Sequence, residues 1–90
     1  ASSQVANITS AVTEVDATSA VGNLSLADGA EGQIKTFINV STSGTNNVVI
    51  TPTNLRGGTT ITLNAEGETV TCMFKNAKWN VIAGHDFVVA

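Results

Sequence analysis

Cys72, Met73, Lys75, Lys78 and Trp79 stand within eight residues of one another in ETVTCMFKNAKWNVIAG, and the chain has no other cysteine, methionine or tryptophan. A cysteine becomes a nucleophile when a base or a positive field lowers its thiol pKa. The one histidine, His85, lies in the tail beside Asp86. Catalysis would therefore require Cys72, His85 and a carboxylate to converge in the fold. The local pattern argues for another role. Val70, Cys72 and Phe74 alternate with Thr69, Thr71 and Met73, so the thiol sits on an apolar strand face, where cysteine behaves as a small hydrophobe.

Trp79 could stack on a sugar ring or anchor an interface, since its apolar body carries a single donor. Packing beside Phe74 is the expectation. Lys75 and Lys78 flank a turn, where solvation accounts for them. A metal site commonly needs three or four ligands, and the chain has one histidine, so no metal is expected. Asp28, Glu31, Glu66 and Glu68 could pair as acid and base in the manner of a glycosidase, yet they lie in ADGAEG and AEGE, which read as turns. Gly57-Gly58 does not open a phosphate-cradling loop. No catalytic residue and no cofactor is assigned. Asn7, Asn23 and Asn39 begin N-x-S/T patterns, but nine Asn among twenty Ser and Thr produce such patterns by chance.

The elements that must position these residues read as strands. Residues 1–21 are small and polar with scattered Val5, Ile8, Val12 and Val15, and are expected to form an extended arm able to order against a partner. Val12 and Val15 also have the spacing of a single helical turn, against mediocre helix formers. Residues 22–90 alternate turn signals with β-rich runs. In QIKTFINVST, Ile34 and Ile38 share a face with Thr36 and Val40, and that face is expected to be the buried one. VVITPT is limited by Pro52, which cannot donate to a ladder. TTITLN places Ile61 and Leu63 together, and the last hairpin brings Val70, Cys72 and Phe74 to Trp79 and Val81. Ala77 suits a two-residue primed turn less well than glycine, so a longer or bulged loop is an alternative there. Asp28-Gly29 reads as the preceding turn. The fold class expected is all-β: six or seven short antiparallel strands in a sandwich, roll or small barrel, with an extended N-terminal arm. The core expected is Ile34, Ile38, Ile61, Leu63, Val70, Cys72, Phe74, Trp79 and Val81.

Ninety residues fit one small domain, and 4% aromatic content leaves its core to aliphatic side chains. A net charge of -3 with 12% charged residues provides no basic stripe for a phosphate backbone, so no nucleic-acid partner is expected. There is no apolar run near the ~18 residues of a membrane span. The amino end lacks the pattern of a secretory signal and is compatible with loss of an initiator methionine. A single cysteine forms no internal disulfide, so no oxidising compartment is required. Few Lys and Glu guard the sheet edges, which further copies of the chain could cover.

The series SLADGAEGQIKTFIN, followed by VVITPTNLRGGTTITLNAEGETVTCMFKNAKWNVIAG, resembles a β-rich module of virion structural proteins of tailed phages, especially phages of marine bacteria. In that module L-x-D-G-x-x-G-Q-x-K begins a strand, and V-T-P-x-N-L-x-G-G-T-T-I-T, an acidic-glycine turn, an apolar strand and N-G-x-W-x-V-I-G follow. The similarity runs from Leu24 to Gly84, with Pro52 and Trp79 at matching places. Ala77 departs from the glycine of the pattern, and HDFVVA has no counterpart. The resemblance implies a virion protein made in the host cytoplasm. It implies a capsid decoration or cement protein bound to the major capsid protein, commonly as a homotrimer, or else a tail fibre or spike. The short chain, without a long shaft, favours decoration. A carbohydrate- or receptor-binding module using Trp79 is the alternative from another class, and burial of the indole discriminates against it.

Overall fold

The computed structural model describes residues 4–6, 8, 11–17, 22–41 and 47–90. Among them there is no helix and there are nine strands: β1 (Gln4–Ala6), β2 (Val12–Val15), β3 (Gly22–Leu26), β4 (Ile34–Asn39), β5 (Val48–Pro52), β6 (Ile61–Leu63), β7 (Thr69–Lys75), β8 (Lys78–His85) and β9 (Val88–Val89). They form two sheets, β1-β3-β5-β6-β9 and β2-β4-β7-β8, with one apolar core. The chain is a small all-β sandwich.

The first five strands alternate between the sheets. β1, β3 and β5 consequently pair in parallel in one sheet, and β2 and β4 pair in parallel in the other. Gln4 lies beside Leu24, Val12 beside Thr36 and Gly22 beside Val48, so one turn of this coil takes 20, 24 or 26 residues. The remaining pairs, β5 with β6, β6 with β9, β4 with β7 and β7 with β8, are antiparallel. The sheets are thus mixed, where antiparallel pairing alone was expected. Parallel neighbours need a crossover of about a dozen residues or more, and here the crossover is itself a strand of the opposite sheet.

Residues 1–21, expected as an arm, contribute β1 and β2, which accounts for most of the strands beyond six or seven. Val12–Val15 is a strand and not a helical turn. Ala6, Val15 and Ala17 enter the core. Val40 N–H donates to Val15 O, Thr36 N–H to Ala11 O, and Ala17 N–H to Ser41 Oγ, so residues 11–17 are bound to the following strands.

Ile61, Leu63, Val70, Cys72, Phe74 and Trp79 are buried, and Val81 packs against them half-buried. Ile34 is a correction, at 46% exposed, and Ile38 is only half-buried. β4 turns its other face inward, with Lys35, Phe37 and Asn39 fully buried. Both faces of IKTFIN carry apolar residues, so counting them does not fix the register; Phe37 places one large ring inside instead of two aliphatic chains. The polar neighbours are accommodated. Lys35 Nζ lies 5.5 Å from the centre of the Phe37 ring. Asn39 donates from Nδ2 to Leu63 O at 3.1 Å and accepts from Ser41 N–H at Oδ1.

The hairpin joining β7 to β8 is a two-residue turn between Lys75 and Lys78, with φ of 55° at Asn76 and 64° at Ala77. Two left-handed residues define the primed turn that matches strand twist. The longer loop is not formed, and Ala77 adopts the conformation that glycine would take without cost. In ADGAEG the left-handed residue is Gly32, at φ 84°, and not Gly29.

Candidate functional site

The residues that first suggested chemistry are drawn apart by the alternation of β7 and β8. Cys72 points into the core, and burial pushes its thiol up to about 11. A thiol so placed is protonated at neutral pH and lacks the positive field a nucleophile needs. His85 pairs in register with Thr69, three residues from Cys72, and its side chain is 70% exposed. Its Nε2 lies 3.3 Å from Asp86 Oδ2. The two residues therefore face opposite sides of the sheet and form no nucleophile and base pair.

Trp79 is wholly buried. Its indole N–H donates to Ala27 O at 2.9 Å, and its ring meets Phe74 edge-on with centroids 5.3 Å apart. Its backbone N–H donates to Asn54 O and its carbonyl accepts from Arg56 N–H, so the 54–56 segment flanks the start of β8. The tryptophan ties the loops after β3 and β5 to the last hairpin. No face of the indole is left for a sugar.

The carboxylates serve the loops. Asp28 accepts from Asn54 Nδ2 at both oxygens, each at 3.0 Å. Glu68 Oε1 accepts from Asn64 N–H across the AEGE turn, and Glu31 lies 3.5 Å from Lys75 Nζ in an exposed pair. No group of three His, Cys, Asp or Glu is arranged for a metal among the described residues. Lys35 is buried, and desolvation lowers its amine pKa; three of the four basic side chains remain for the surface. Asn39, which begins one glycosylation pattern, is buried.

What the fold does present outward is the free face of β2-β4-β7-β8. Register places its side chains in rows across four strands: Glu14, Ile38, Thr69 and His85; then Val12, Thr36, Thr71 and Ala83; then Ile34, Met73 and Asn80. Val12 is 52% exposed and Ile34 46%. Thr36 and Thr71 hydroxyls bond one another at 3.0 Å. The ionisable groups of these rows stand at the two edges, Glu14 on β2 and His85 on β8. Ile8 and Val12, expected to meet a partner, are exposed, Val15 is not, and the side chain of Val5 lies outside the described residues. The signal missed in the sequence was Phe37, whose ring turns the other face of β4 inward and leaves Ile34 and Ile38, expected in the core, facing out.

No protein-family model matches the chain, and no match is found among curated proteins.

Proposed function

We propose that the chain is a decoration protein of a tailed-phage head, binding the outer surface of the major capsid protein shell as a homotrimer and holding its subunits together. The observation that carries the reading is the division between inside and outside. Trp79 and Cys72, the side chains that first suggested chemistry, are buried in the core beside Phe74. The outward sheet offers threonines and aliphatic side chains with ionisable groups at its margins. Such a surface suits contact with other protein, and the sequence from Leu24 to Gly84 resembles virion modules that act by contact. The function is mechanical: repeated docking across shell subunits adds many weak contacts, which multivalency converts into firm attachment. Catalysis, cofactors and nucleic acid have no part in it.

A tail fibre or spike is the second reading within the same virion class. The carbohydrate-binding alternative loses the side chain on which it rested, because the Trp79 indole is enclosed. Purified heads lacking the chain provide the test. Added chain is expected to co-sediment with them and to raise the temperature and osmotic shock they survive. Localisation to tails alone by electron microscopy of native particles would overturn the head reading in favour of the fibre.

A further inference from the structure

We infer that the outer face of the β2-β4-β7-β8 sheet is a self-association surface, turned inward onto the same face of the other two copies in a trimer, with Glu14 set against the partner's His85. The inference rests on the oligomeric part of the reading above and specifies which face the copies share.

Three observations support a second copy as the occupant. The face is cheap to dry. Val12, Ile34 and Met73 are apolar, and the Thr36 and Thr71 hydroxyls are bonded to each other, so covering this pair leaves one hydroxyl hydrogen to be placed instead of two.

The margins are complementary to one another. Glu14 aligns with Ile38, Ile38 with Thr69 and Thr69 with His85, so acid and imidazole stand on the same row at opposite edges. A rotation axis running along the strands preserves that row and brings the β2 edge of one copy to the β8 edge of the next. Glu14 then meets the partner's His85 at each junction.

The area is sufficient for a specific but modest interface. Four strands about 4.8 Å apart, of four, six, seven and eight residues at about 3.3 Å each, give a face of about 20 by 20 Å. Counting the three faces of the trimer, roughly 1,200 Å² would be covered, the lower end for a specific interface. Association is therefore expected to depend on concentration in the micromolar range.

Sedimentation of the full chain between about 1 and 300 μM, a span set around that affinity, reads the proposal directly. Wild type is expected to exceed the mass of one chain, and Ile34→Glu to weaken association at least tenfold with an unchanged far-UV spectrum. Val12→Asp, at a second exposed position, is expected to act in the same way. Glu14→Lys alone weakens association, and Glu14→Lys combined with His85→Glu restores it. A single-chain mass for wild type throughout, or association of Ile34→Glu and Val12→Asp equal to wild type, overturns the proposal. Head binding is scored separately. Wild type that associates through this face but never binds heads leaves the inference standing and removes the decoration reading. A chain that binds heads as a monomer, and loses binding on Ile34→Glu, assigns the face to the shell and overturns the inference and the homotrimer, leaving decoration itself standing.

Discussion

Burial of Cys72 links its reactivity to pH. The thiol is raised from 9.0 to about 11 in the folded chain, so between those values the unfolded state releases a proton that the native state retains. Its contribution to stability is whole below pH 9 and is lost as pH rises towards 11, in total on the order of 3 kcal/mol. Cys72→Ala is expected to flatten that alkaline decline in melts taken from pH 8 to 11, while lowering stability at pH 7 by about 1–2 kcal/mol through the small cavity it leaves. A thiol reagent at pH 8 should label the wild type only as fast as the chain opens; rapid labelling in the absence of denaturant would contradict the burial. Trp79→Ala removes a larger side chain and its bond to Ala27, and is expected to cost about 3–5 kcal/mol, a large share of the stability of a domain of this size. The roles of these two residues were legible because V-T-C-M-F and K-W-N-V alternate cleanly and both faces of the hairpin differ in polarity. IKTFIN does not alternate in that way, and there the aliphatic majority pointed to the wrong face.

At the scale of elements, strands and turns were legible but strand direction was not. Turn signals such as AEGE and KNAK mark where the chain reverses, and Pro52 marks the end of β5, yet nothing local distinguishes a hairpin from a crossing into the other sheet. The parallel pairs of β1 with β3 and β2 with β4 depend on matching between residues at least 20 positions apart, which a local reading does not capture. The consequence falls on the amino-terminal segment. Deleting residues 1–20 strips a strand from each sheet and removes Ala6, Val15 and Ala17 from the core. The shortened chain is expected to melt well below the full one or to aggregate through the β3 and β4 edges it exposes, as scanning calorimetry and light scattering would report. Any loss of head binding by that truncation therefore reflects folding as well as attachment. The β7 to β8 hairpin allows a cleaner test in the opposite direction. Ala77 holds φ at 64°, a conformation costing an L-residue about 1 kcal/mol that glycine adopts freely. Ala77→Gly is expected to stabilise the chain by about that amount and to raise the melting temperature by roughly 4–8 °C; a decrease would show that Ala77 makes contacts outweighing its backbone strain.

For the whole molecule, the coil of β1 to β5 closed by the antiparallel strands makes a domain whose core is complete but lean in aromatic side chains. Stability drawn from partners is then reciprocal. If shell subunits bind the folded chain and not the unfolded one, each binding event stabilises the chain by mass action, about 2.7 kcal/mol at a hundredfold excess over the dissociation constant. The same free energy holds the shell subunits in place, because coupling between two equilibria acts equally in both directions. Heads saturated with the chain are thus expected to show two linked changes on heating: disruption at a higher temperature than bare heads, and unfolding of the bound chain above the melt of the free one. Differential scanning calorimetry of heads, chain and mixture resolves both transitions. The increments should grow together as occupancy is raised by titration. Protection of the head with no shift in the melt of the chain would break that linkage, and would mean that the chain acts on the shell by some means other than binding in its folded form.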